Sequence, residues 1–205
     1  MKIIDGKTLA KEIIQKVKTE IESLGFAPGL AVFLVGHDDA SELYVKLKEK
    51  ACKKVGIEFH KYTSDTSTSQ EELLSSIEFL NNDPMVHAIL VQLPLPEPFN
   101  DQEIINKMDF KKDVDGFHPE TVKAFLSGDS QFVPGLSMGI VRLIESTEEL
   151  LEGKHAVILA NSDVFSRPLE KLLQDKGLTV EVVKSSDKDF QDKTVEADIL
   201  IVAAG

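Results

Sequence analysis

The chain has 205 residues with 35 acidic against 23 basic side chains, a formal net charge of −12. That excludes a general nucleic-acid binder, which needs a basic face, but not a local basic pocket for a small anion. At 42% hydrophobic and 28% charged the composition is that of a water-soluble globular chain of one large domain or two small ones.

From Thr8, the apolar residues Leu9, Ile13, Val17, Ile21 and Leu24 recur every three or four positions. They predict a helix with one buried stripe, ended by Gly25 and the Pro28–Gly29 pair. The run LAVFLVG (30–36) predicts a strand covered on both faces. A helix follows, with Asp38, Asp39 and Ser41 available to cap it. Its expected core stripe is Leu43, Leu47 and Ala51, with Tyr44 and Lys48 on the flank. GIEFHKYT (56–63) reads as a strand, and 69–83 as a helix opened by Ser69 and Glu72 in capping-box spacing. VHAILVQLPLP (86–96) is a buried strand running into a proline-rich exit.

Residues 113–119 (DVDGFHP) have turn chemistry, 132–139 read as a loop, and 138–151 as an amphipathic helix. After Gly153 a second series follows: strand 155–161, helix 166–177, strand 178–183, a polar segment and strand 197–205. Such strand–helix alternation predicts an α/β fold with parallel sheets. An open doubly wound sheet is expected to continue past Gly205. Cys52 is the single cysteine, so no internal disulfide can form. With no apolar run of signal-peptide or membrane-spanning length, a cytoplasmic protein without membrane association is expected.

Three places can carry chemistry. Tyr44 and Lys48 lie one helical turn apart. They are either a boundary tyrosine beside a snorkelling lysine, or a phenol and a partly desolvated amine at a cleft. Their helix follows the carboxyl end of strand 30–36, where open α/β sheets place ligands. Gln92 ends another strand and can either face water or orient an amine or a heterocycle. Asp115, just before Gly116, belongs to a structural turn or approaches a flat ligand with paired N–H donors. The five histidines lack ligand spacing, so no metal site is expected, and Cys52 reads as a buried structural thiol.

These stretches carry a resemblance. S-x-x-Y-V-x-x-K-x-x-A-C (41–52), V-Q-L-P-L-P (91–96) and D-V-D-G-F-H-P (113–119), with KIIDGKTLA (2–10) and PGLAVFLVG (28–36), resemble the methylenetetrahydrofolate dehydrogenase/cyclohydrolase family, collinearly over essentially the whole chain. The resemblance implies an N-terminal folate-binding catalytic α/β domain over 1–137. Residues 138–205 would supply a connecting helix and a partial Rossmann-like NAD(P)-binding domain. It places Tyr44 and Lys48 at the folate one-carbon unit, with Lys48 as the catalytic amine. Gln92 would support that lysine, Leu93 and Pro94 line the substrate, and Asp115 anchor the pterin. Methenyltetrahydrofolate cyclohydrolase and NADP-dependent methylenetetrahydrofolate dehydrogenase activities follow, as steps of the one-carbon metabolism that serves purine biosynthesis. A homodimer is implied as well.

The second half departs from the family. Its cofactor loop, G-R-S-x-x-V-G-x-P, is here ANSDVFSRP (160–168). Ala160 and Ser166 stand at glycine positions, Phe165 at a valine and Asn161 at an arginine. Asn161, Ser162, Arg167 and Pro168 are the expected cofactor contacts. A Cβ at either glycine position is expected to crowd the phosphates, with Ala160 strained at positive φ. Leu136 replaces a threonine of the family's P-C-T-P loop, and the family continues for roughly 80 residues beyond this point. The cyclohydrolase half is therefore better supported than the dehydrogenase half. The alternatives are a non-catalytic folate-binding or partner-binding relative that has lost NAD(P) binding, and a generic nucleotide-binding Rossmann protein.

Overall fold

Strand β1 (Gly29–Val35) is covered on both faces, as its unbroken apolar run requires. A computed structural model describes residues 3–130 and 132–203. They fall into two compact units, one spanning Asp5–Pro119, the other running from Glu120 onward and taking in the residues before Asp5.

In the Asp5–Pro119 unit, β1 is the centre of a parallel sheet, with β2 (Glu58–Ser64) on one side and β3 (Ala88–Val91) on the other. Ala31, Phe33 and Val35 pack against Leu73, Ile77 and Leu80 of α3 (Gln70–Asn82). On the opposite face Val32 and Leu34 meet Val45 of α2 (Asp39–Val55). β2 is an edge strand and largely exposed. The expected strand 86–96 stops at Val91; Gln92 donates one last backbone bond to Phe33, after which the prolines offer no N–H to the ladder.

Helix α1 (Gly6–Leu24) starts two residues before Thr8, because the Asp5 carboxylate accepts from the Lys7 and Thr8 backbone N–H groups at 3.1 Å each. It lies along α2 rather than on the sheet. No residue of it is fully buried, and Ile13 and Leu24 of the expected stripe are exposed. In α2 the stripe itself is a correction. The buried positions are Ser41, Val45, Cys52 and Val55, whereas Leu43 and Leu47 are 56% and 53% exposed. Lys48 falls between Val45 and Cys52 on that buried line, so it is a member of the stripe instead of its flank.

The Ser69–Glu72 capping box forms reciprocally at α3. Ser69→Ala should lower stability by about 1 kcal/mol, measurable as a reduced urea midpoint with an unchanged m-value. Helices α4 (Asp101–Lys107) and α5 (Pro119–Ser127) and a single helical turn over Phe110–Lys112 occupy segments to which the sequence pattern assigns no element.

In the second unit, α6 (Gly135–Glu145) absorbs much of the expected 132–139 loop and ends before Leu151. Strand β4 (His155–Ala160) is flanked by parallel β5 (Thr179–Val183) and β6 (Ile199–Ala203). The last two residues of the strand expected over 197–205 lie outside the described residues. Helix α7 (Asp163–Gln174) begins three residues before Ser166. The polar segment before β6 contains α8 (Phe190–Val195). Val141, Ile158, Leu169 and Leu173 make the core of this unit.

Candidate active site

Because β2 and β3 lie on opposite sides of β1, the first sheet has a topological switch point between the carboxyl ends of β1 and β3, where such sheets bind ligands. Helix α2 leaves the end of β1 and the Gln92–Pro96 segment leaves the end of β3. Across that crevice Lys48 Nζ donates to Gln92 Oε1 at 3.0 Å. Gln92 Nε2 donates in turn to the Leu93 carbonyl at 2.9 Å, which fixes the amide with its oxygen toward the amine. Residues 44 positions apart are thus joined directly.

The third component is the 113–119 loop, which a parallel bridge between Ile89 and Asp113 attaches beside β3. Asp115 Oδ2 stands 4.0 Å from Lys48 Nζ, and both side chains keep 33% of their surface exposed. At that distance and exposure the pair is only loosely associated, so both groups remain available to a ligand. Burial pushes the Asp115 carboxyl above its usual value of 3.8, opposed by Lys48 and assisted by the neighbouring Asp113 charge. Tyr44 lies one turn before Lys48 and is exposed, Leu93 is half-buried against the core, and Pro94 is exposed. Cys52, one turn after Lys48, is buried, and burial raises its thiol pKa.

Asp113 was not singled out from sequence. It is 4% exposed and accepts from the Gly116 and His118 backbone N–H groups at 3.0 and 2.9 Å. Gly116, at φ +80°, supplies the left-handed turn that brings those donors round. One aspartate of D-V-D-G therefore builds the loop and the other faces the crevice. An aspartate three residues before a glycine is a turn signal that could have separated the two. Asp113→Ala should cost about 1–3 kcal/mol through the unsatisfied N–H groups. Thermal unfolding and folate-analogue affinity should fall together, since the loop carries Asp115.

In the second unit the equivalent crevice lies beyond β4. Asn161 and Ser162 follow the strand, both exposed, and Arg167 is exposed while Pro168 is buried inside α7. The Asn161 side-chain oxygen accepts from Ser185 N at 3.2 Å and Ser185 Oγ at 3.0 Å. The strain expected at Ala160 is not found. Ala160 is a regular, buried residue of β4 paired with Ala203, and no residue of 160–168 has a positive φ. Ser166 is 2% exposed, so its Cβ fills the space between helix and sheet. The first turn of α7 has no side-chain cap at Ser162, which leaves its N–H groups open to an anion. These features fit a dinucleotide pyrophosphate. Among the described residues no group of three or more His, Cys, Asp or Glu side chains can hold a metal ion, and no helix is long and apolar enough to cross a membrane.

Comparison with known proteins agrees with this division. Residues 4–115 match the family model of the tetrahydrofolate dehydrogenase/cyclohydrolase catalytic domain, and residues 134–205 match its NAD(P)-binding domain. The chain is 42% identical over 206 residues to the bifunctional protein FolD of Halalkalibacterium halodurans, covering 99% of this chain and 74% of that protein. It is 42% identical over 208 residues to FolD of Methanosarcina mazei, covering 100% and 72%. The crystal structure of the FolD methylenetetrahydrofolate dehydrogenase/cyclohydrolase from Campylobacter jejuni superposes with a TM-score of 0.92 at 42% identity, over 100% of this chain and 74% of that one. The Trypanosoma brucei enzyme, solved with NADP cofactor and inhibitor, gives 0.93 at 30% identity, over 100% and 72%.

Proposed function

The chain belongs to the tetrahydrofolate dehydrogenase/cyclohydrolase family of one-carbon folate metabolism, and on that premise we propose that Lys48 is the catalytic amine of its hydrolytic step. The observation that carries this reading is the Lys48 amine held by Gln92 Oε1 at 3.0 Å within reach of Asp115. The substrate, 5,10-methenyltetrahydrofolate, has a cationic carbon shared by two nitrogens. Water adds to that carbon, and Lys48 in its amine form takes a proton from the water. The carbon–nitrogen bond then breaks as the ring nitrogen gains a proton, leaving the formyl product and one proton released. Gln92 holds the amine in line, and an uncharged amine avoids repelling the cation. Tyr44 shields the one-carbon unit from bulk water, Leu93 and Pro94 wall the pocket, and Asp115 accepts the paired N–H donors of the pterin.

For the dehydrogenase step, a bound NADP supplies a hydride acceptor for the methylene carbon. Asn161, Ser162 and Arg167 would hold it at the exposed lip beyond β4, with Pro168 shaping α7 from within. We read the protein as a cytoplasmic homodimer on the family relation; light scattering in solution checks the dimer. The enzymatic reading is tested by assaying the purified chain for methenyltetrahydrofolate hydrolysis and, separately, for nicotinamide reduction by methylenetetrahydrofolate. Binding of a folate analogue with neither turnover would overturn it.

A further inference from the structure

Helix α3 ends without the left-handed residue that commonly closes a helix: Asp83, its C-cap, is extended at φ −78° and ψ 117°. The last carbonyls of the helix are therefore open to donors from elsewhere. Lys112 supplies them. Its ammonium donates to the Leu80 and Asp83 carbonyls at 2.9 Å each, a positive charge at the negative end of the helix. Asn81, in the last turn of α3, donates from Nδ2 to the Lys107 carbonyl at 2.8 Å and accepts at Oδ1 from the Asp109 backbone N–H at 2.8 Å. These side-chain bonds clamp residues 107–112 onto the end of a helix whose Ile77 and Leu80 are buried in the core against β1.

Asp115 follows Lys112 by three residues, so any slip at the clamp moves the carboxylate that faces the crevice. The bonds from Gly116 and His118 to Asp113 fix the shape of the 113–119 loop. They do not fix where the loop sits against the sheet; the clamp on α3 and the bridge from Asp113 to Ile89 do. A recognition group is only as precise as the shell that holds it. We propose that Lys112, assisted by Asn81, is a positioning residue for substrate recognition: it docks the loop on the end of α3 so that one bound folate meets Asp115 at its pterin and Lys48 at its one-carbon unit. Gln92 is oriented by the Leu93 carbonyl in its own segment, so support of the amine does not depend on the clamp. This inference rests on the reading of Asp115 as the pterin acceptor.

The test is a double-mutant cycle on the purified full chain, read by calorimetry with 5-formyltetrahydrofolate, which keeps the pterin and lacks the cationic bridge. Lys112→Met should weaken binding about 10-fold in the parent but within about twofold in an Asp115→Asn background, where nothing is left to position. Lys112→Arg, whose guanidinium can still donate to both carbonyls, should restore most of the affinity. In hydrolysis of 5,10-methenyltetrahydrofolate, Lys112→Met should raise KM and change kcat far less. Asn81→Ser should repeat the pattern more weakly, and it takes the place of Lys112→Met in the cycle should that variant not fold. Parent affinity in the Lys112→Met chain, or equal losses in both backgrounds, would overturn the proposal while the reading of Asp115 stands. Parent affinity in Asp115→Asn alone would overturn both.

Discussion

Replacing Lys48 by methionine is expected to lower kcat for methenyltetrahydrofolate hydrolysis by about 10²- to 10⁴-fold, the range of a positioned acid–base group, while thermal unfolding changes little. The separation of effects follows from where the lysine sits. Its stem lies in the buried line of α2 between Val45 and Cys52, a place that an unbranched thioether fills at nearly the same volume. Its amine, however, emerges one-third exposed between Gln92 and Asp115. Methionine thus preserves packing and removes the proton carrier. Loss of Lys48 leaves the Gln92 oxygen facing the crevice, where water can still reach it, so no buried acceptor is orphaned. Steady-state kinetics beside a melting curve measure the two quantities independently. Unchanged hydrolysis in a folded Lys48→Met protein would remove the amine from the mechanism.

How much of this was legible follows from particular residues. β1 declares itself because a central parallel strand must be apolar on both faces, and α3 because Ser69 and Glu72 spell its cap. Lys48 on a helix face, Gln92 at a strand end and Asp115 in a turn were each visible as polar residues. Their meeting was not, since only the β2–β1–β3 order brings the ends of β1 and β3 to one crevice. The stripe of α2 misled because Leu43 and Leu47 imitate a core line while lying exposed. Helices α4 and α8 have seven and six residues, too short for a period to emerge from sequence. In the second unit, an alanine standing at a glycine position suggested strain. The backbone there is ordinary strand, however, and α7 begins early enough to carry Ser166 into the helix–sheet contact. Residue substitution alone could not show that the space a side chain needs already existed.

Asp115→Asn should separate binding from stability in opposite directions. The asparagine loses the charge and replaces one acceptor oxygen by a donor, so the paired N–H donors of a pterin meet one acceptor instead of two. The folate dissociation constant should rise by about 10- to 100-fold, with a smaller effect on kcat. The pH dependence has a definite sign. Burial raises the Asp115 pKa above 3.8 in the folded chain, so the folded state binds this proton more readily than the unfolded state. Stability of the free protein from this group is therefore fully present below 3.8 and is lost as pH rises through the raised folded value. Affinity runs the other way: the ionised carboxylate is the form that accepts the pterin, so binding weakens as pH falls through the same raised value. At neutral pH the asparagine variant escapes the cost of a partly buried charge, and its ligand-free melting temperature should match or exceed that of the parent. Titration calorimetry with a folate analogue across pH, beside ligand-free melting curves, reads both trends. Equal affinity of parent and variant at all pH values would leave Asp115 without a part in recognition.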